Sequence, residues 1–276
     1  VDLVILPMAG SGYIEDLATA SGISVLRPVD INGPDAVSKV AEAGPDAMVL
    51  AGYTQILRQP MLSAAPCSLI NLHGGKLPEY RGGSPINWQI INGETEGGCA
   101  ICFVDEGIDT GDIIYQETYP IGIDDGAEDA MAKTLEIFPR LLIQTLGDLE
   151  NGTAPREKQD SSKAIYFGKR HPEDGEIFWK DMNALDVHNL VRSLRGPNLP
   201  GAFCGLGGQN LIIHRTSLLA DECRGVPGRV ISHRDGGAVV VAKDRGLLLM
   251  EVQEAHADAP VGATEILKPG RQLDLD

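Results

Sequence analysis

Short apolar runs alternate with helix-patterned segments through the first half of this chain, and no other feature limits its fold as much. Val1–Leu6, Ile23–Leu26, Asp46–Ala51 and Leu69–Leu72 read as strands. Residues 12–22 and Asp35–Ala43 carry helical spacing, and each closes on a glycine, Gly22 and Gly44. Such alternation builds parallel βαβ units, hence an α/β fold with a Rossmann-like, mostly parallel sheet. The last of these strands, in SLINLHGGK, carries two polar side chains. Asn71 and His73 stand two residues apart and so project from one face. Gly74 and Gly75 end the strand. An imidazole and a carboxamide therefore sit where a strand opens into a glycine-rich loop, the usual place for ligands in open α/β folds. Asp109, later in FVDEGIDTGD, supplies a carboxylate that would orient the imidazole and stabilise its cation.

Beyond Asp109 the pattern changes. Ile113–Tyr115 reads as a strand and Asp125–Leu149 as a long helix, broken by Asn151-Gly152 and Pro155. The polar segment that follows makes 151–163 a linker between a domain at 1–150 and a second at 164–276. The second domain opens with a helix over Asp181–Arg195. Short strands at regular spacing follow (Leu211–His214, Gly228–Ser232, Ala238–Ala242, Leu247–Val252), predicting a small antiparallel β-barrel.

Composition closes several alternatives. No apolar run among the 276 residues is long enough to span a bilayer, and no signal-like segment opens the chain, so a cytoplasmic enzyme is expected. The five cysteines are too scattered for a disulfide framework. Cys99 and Cys102 have C-x-x-C spacing but lie on a predicted strand facing opposite ways, with no second pair to complete a metal site, so no metal is expected. The formal charge of −16 argues against a nucleic-acid partner, because gripping a phosphate backbone calls for a basic footprint. The longest basic cluster is Lys169-Arg170-His171.

The string NLHGGKLPEYRGGSPINWQIINGE followed by GGCAICFVDEGIDTGDIIYQ resembles the superfamily of 10-formyltetrahydrofolate-dependent formyltransferases. Its three motifs, N-x-H, L-P-x-x-R-G and D-E-x-x-D-T-G, are matched by residues 71–73, Leu77–Gly82 and Asp105–Gly111. The chain starts with Val, and fewer residues precede N-x-H than in the members it resembles. The deficit is about one βα unit, in a motif of about 30 residues: the first strand and helix are either trimmed or absent. The last third is similar to the accessory barrel of the two-domain members.

The resemblance implies a mechanism and a site. Asn71 would donate to the oxyanion formed when an amine attacks the formyl carbon. His73 would stabilise that oxyanion and move a proton, and Asp109 would hold His73 in its charged form. The co-substrate implied is 10-formyltetrahydrofolate. Gly52, Tyr53, Gln55, Ile56 and Leu57 would form one wall of its pocket, and Val104, Asp105 and Ile108 the other. Lys76, Tyr80 and Arg81 fall in the acceptor loop. Lys76 and Arg81 either meet acceptor phosphates or, for Arg81 in the R-G element, brace the loop. The H-G-G-K loop is closest to the sugar N-formyltransferases, which implies a nucleotide-linked amino sugar as acceptor and a homodimer. Methionyl-tRNA is the alternative acceptor; a 10-formyltetrahydrofolate hydrolase and a non-catalytic folate-binding protein are further readings.

Overall fold

The computed structural model describes residues 1–273 apart from 9, 11, 65–66 and 197–198. In chain order the first elements are β1 (Leu3–Ile5), α1 (Gly12–Ala20), β2 (Ser24–Leu26), α2 (Pro34–Ala43), β3 (Ala47–Ala51) and β4 (Ser68–His73). Then come β5 (Arg81–Gly82), α3 (Pro85–Ile91), β6 (Glu96–Phe103), β7 (Ile113–Pro120), α4 (Ala127–Glu150) and β8 (Tyr166–Phe167). The remainder forms α5 (Ala184–Ser193), β9 (Ala202–Leu206), β10 (Gln209–Leu218), β11 (Val230–Arg234), β12 (Gly237–Val241), β13 (Gly246–Glu254), β14 (Val261–Gly262) and α6 (Ala263–Ile266). The chain divides into two compact units. One is Val1–Arg81, Gly98–Glu117 and Ile137–Ile165; the other is Gly82–Gly97, Thr118–Glu136 and Tyr166–Asp276.

In the first unit β3 and β4 pair in parallel, and β4 pairs antiparallel with β6, in the order β3-β4-β6-β7. The parallel pair β1 and β2 forms a separate ladder. Among the described residues the two ladders are not hydrogen-bonded to each other, and β1 and β3 line an apolar groove of about 510 Å³. The α/β expectation therefore holds, with a sheet that is mixed in direction and interrupted. Helix α2 shows why the local sequence folds as it does. Pro34 opens it, Gly44 closes it in the left-handed region at φ 54°, and the Gly44 N–H returns to the Val40 carbonyl. Ala36 and Val40, four apart and so on one face, pack against Ile31, Leu57 and Met61. Burying each large aliphatic side chain of that cluster contributes about 1.5–3 kcal/mol.

The second unit contains an antiparallel sheet in the order β11-β12-β13-β10-β9, with β14 on β13. It is open: among the described residues no ladder joins β9 to β11. The barrel expected from strand spacing is replaced because helices cover the apolar face. Val187, Leu190 and Val191 of α5 and Ala263 of α6 share one core with Trp179, Leu211, Val240 and Leu249. Strand β9 escaped the sequence reading because its Gly and small residues show no alternation. The helix read at 181–195 is α5, capped where the Asn183 N–H donates to the Asp186 carboxylate at 2.9 Å.

His188 and Arg192 lie one turn apart on α5 and hold the 122–125 loop. His188 Nε2 donates to the Ile123 carbonyl (2.9 Å), and Arg192 Nη1 donates to the Gly122 and Asp125 carbonyls (3.0 and 2.7 Å). His188 Nδ1 accepts from the Thr216 hydroxyl at 2.8 Å, so the neutral ring has both nitrogens satisfied. Burial pushes this imidazole below its ordinary value of 6.5; the Ile123 hydrogen bond and exposed Asp124 oppose that shift, and Arg192 adds to it. The unfolded chain therefore binds the proton first, and stability should be full above 6.5 and fall as pH drops below it. In urea titrations from about pH 8 to about pH 5.5, His188→Gln should lose less of its midpoint than the unsubstituted protein. Equal losses would mean that His188 is not the group responsible.

Candidate active site

Strand β4 is central, and its register places Asn71 opposite Leu50 and Cys102, and His73 opposite Ala100. Both side chains leave the same face, as their spacing requires. Asp109 meets both with one carboxylate. Its Oδ1 accepts from Asn71 Nδ2 at 3.1 Å, and its Oδ2 lies 3.5 Å from His73 Nδ1. The His73 and Asp109 side chains are only 5% and 13% exposed, so the pair is weakly screened by salt. His73 Nε2 faces the Tyr80 carbonyl at 2.5 Å. Each ring nitrogen therefore faces an oxygen acceptor, Nδ1 a carboxylate and Nε2 a backbone carbonyl. Among the described residues the second N–H of Asn71 has no hydrogen bond. The group thus brings together an imidazole, a carboxylate beside it and one uncommitted amide donor.

Asp109 reaches this position from a strained turn. It has φ 53°, a left-handed conformation that Asp tolerates better than most residues. The loop is closed by the Phe103 N–H donating to the Asp112 carbonyl (2.9 Å). Within it, the Asp105 carboxylate accepts from the Gly107 N–H at 3.0 Å and the Thr110 hydroxyl at 2.5 Å. Two glutamines that nothing in the sequence singles out complete the frame. Gln116 binds both the N–H and the carbonyl of Leu77 (2.7 and 3.2 Å). Gln159, in the polar segment 151–163, donates to the Asp109 and Gly111 carbonyls at 2.9 and 2.7 Å. Neither has a spacing signature, because each bonds to a partner far away in sequence.

The acceptor-loop residues divide. Arg81 is 3% exposed, and its Nε and Nη2 donate to Gln159 Oε1 at 3.0 and 2.8 Å, the geometry of a brace. The Tyr80 side chain is buried, and Lys76 is half-buried with its Cβ side against Gly98. Of the residues assigned to a folate pocket, Leu57 belongs to the core and Tyr53 packs partly against it. Gln55 is occupied by the Ile31 N–H (2.9 Å) and the Val29 carbonyl (3.2 Å). Gly52 turns at φ 65°, Asp105 serves its own loop, and Val104 donates its N–H to Leu69 at 2.9 Å. Ile56 and Ile108 are different: they are 53% and 48% exposed, on the loops that follow β3 and β6, the two neighbours of β4. Exposed aliphatic side chains on loops flanking β4 could meet the face of a planar ring.

Cys99 and Cys102 are buried free thiols. Burial is the main cause pushing each up to about 12, which keeps both as unreactive thiols.

The chain is similar to known proteins along most of its length. Residues 15–146 match the formyl transferase family, and residues 169–268 match the formyl transferase C-terminal domain. A methionyl-tRNA formyltransferase of Solibacter usitatus is 37% identical over 242 residues, 87% of this chain and 76% of that protein. One from Geobacter metallireducens is 35% identical over 240 residues, with the same two coverages, 87% and 76%. Among solved structures, WlaRD, a sugar 3N-formyltransferase determined with dTDP and 5-N-formyl-THF, superposes with a TM-score of 0.67. It is 19% identical, over 92% of this chain and 88% of that one, and so supports the fold alone.

Proposed function

Because the chain belongs to the formyltransferase family, we propose that it transfers a formyl group from 10-formyltetrahydrofolate to the amine of methionyl-tRNA. The observation that carries the chemistry is the Asn71–His73–Asp109 cluster, in which one carboxylate meets both other side chains. The acceptor is supported by relatives 35–37% identical over 76% of their length, named for methionyl-tRNA. The nucleotide-linked amino sugar inferred from the H-G-G-K loop gives way to it. The formal charge of −16 does not rule this acceptor out, because it describes the whole chain, whereas an acceptor meets only a local field.

The co-substrate supplies an activated formyl carbon on a nitrogen leaving group. The acceptor amine, uncharged, forms the new C–N bond, and the carbonyl oxygen takes up the negative charge. The free N–H of Asn71 donates to that oxyanion, and the imidazolium of His73, held by Asp109, stabilises it. As the original C–N bond breaks, the His73 imidazolium gives a proton to the departing nitrogen, and the neutral ring then takes up the proton that the attacking amine loses. Ile56 and Ile108 give the ring of the co-substrate its apolar contact.

A direct test incubates the protein with 10-formyltetrahydrofolate and either methionyl-tRNA or a panel of nucleotide-linked amino sugars. Formyl-methionyl-tRNA is the expected product, with a yield that falls as salt rises. Formylated sugar with no formylated tRNA would overturn the acceptor and leave the chemistry standing.

A further inference from the structure

We infer that Gln159 is a positioning residue that fixes the Asp109 turn, and that Arg81 serves the site by fixing Gln159. The four hydrogen bonds of the Gln159 carboxamide admit one orientation only. Nε2 must donate to the Asp109 and Gly111 carbonyls, and Oε1 must accept twice from the Arg81 guanidinium. Rotating the amide by half a turn would set oxygen against two carbonyls and NH₂ against a cation. The carbonyls it holds belong to the residue at φ 53° and to the residue two beyond it. Clamping both fixes the direction in which the Asp109 carboxylate leaves the backbone, toward Asn71 and His73.

The segment carrying Gln159 is itself fastened to the two ends of the same loop. Glu157 and Ile113 exchange backbone hydrogen bonds at 2.8 and 2.9 Å. The Arg156 guanidinium lies 3.6 Å from the centre of the Phe103 ring and 3.6 Å from an Asp112 carboxylate oxygen. Phe103 and Asp112 close the loop that carries Asp109, so residues 156–159 form a strap across it. The burial of Arg81 belongs to this device, since a side chain 3% exposed and doubly bonded to Gln159 is committed to the strap.

Gln159→Glu is the informative change because it keeps shape and volume. An ionised Glu still accepts from Arg81 but sets an oxygen against each carbonyl that Nε2 now serves. A residue that merely packs would tolerate it. The expected result is a fall in kcat of at least about tenfold with KM for both substrates within about threefold, since the loss lies in orientation rather than in binding. In the free protein, the His73 ring ¹⁵N resonances should move toward those of Asp109→Asn. If Gln159→Glu fails to fold, Gln159→Leu, which puts no charge against the carbonyls, carries the same readouts. Unchanged His73 resonances would overturn the proposal, as would a change confined to KM, which would place Arg81 and Gln159 against substrate. The kinetic arm rests on the formyl-transfer reading and the resonances do not, so failure of that reading leaves the positioning role decided by the spectra.

Discussion

Asp109→Asn should leave the protein folded, yet lower formyl transfer by about two to three orders of magnitude, the usual cost of losing one component of an oxyanion-stabilising group. The substitution is nearly isosteric, and Asn tolerates the left-handed backbone that Asp109 adopts at φ 53°. What it cannot reproduce is two acceptor oxygens. One Asp109 oxygen accepts from Asn71 and the other faces His73 Nδ1, so an amide must turn an NH₂ toward one of two donors. Either choice removes the counter-ion from an imidazole that is 5% exposed. His73→Asn should fail to a similar degree. Because the two act as a unit, the double variant should be little slower than either single one. Turnover losses that multiply in the double variant would show independent roles, and the mechanism proposed here would then be wrong.

The part of this site that could be read from the sequence is the part written in local patterns. Asn71 and His73 share a face because a strand repeats every two residues, and Gly74-Gly75 mark where it ends. Asp109 came from motif resemblance, and the structure brings its carboxylate to both. The support of that carboxylate was invisible. Gln159 lies 50 residues from Asp109 and 78 from Arg81, in a polar stretch with no periodicity. For Arg81, charge chemistry alone left phosphate binding and bracing open; its burial and its bonds to Gln159 are facts of tertiary structure. The open sheet in place of a barrel has a similar cause. Strand spacing along the chain is the same in both, and what differs is that α5 and α6 cover one face. The acceptor is not legible in the H-G-G-K loop or in the whole-chain charge, because neither describes the local surface that an acceptor meets.

The narrowest steric constraint at the site is Gly111, and Gly111→Ala should both destabilise the fold and abolish most of the activity. A Cβ built there would lie 1.9 Å from the Phe103 carbonyl oxygen and 2.7 Å from its carbon, and both atoms belong to backbone. A flexible side chain could swing aside, but this carbonyl sits at the end of β6, whose residues 98–103 are buried. The hairpin must therefore open, which breaks the Phe103-to-Asp112 closure and pulls the Gly111 carbonyl away from Gln159. Overpacking of this kind costs about 1–3 kcal/mol, and the displaced turn carries the Asp109 carboxylate with it. Gly147→Ala makes the control, because that glycine lies within α4 with nothing inside 4 Å of an added Cβ. It should stabilise by about 0.5–1 kcal/mol through helix propensity, with turnover unchanged. The comparison is read from urea midpoints and initial rates on the two variants side by side. If Gly111→Ala matched the control in both, the hairpin would have room that its geometry denies, and the close approach of Gly111 to Phe103 would have no part in presenting Asp109.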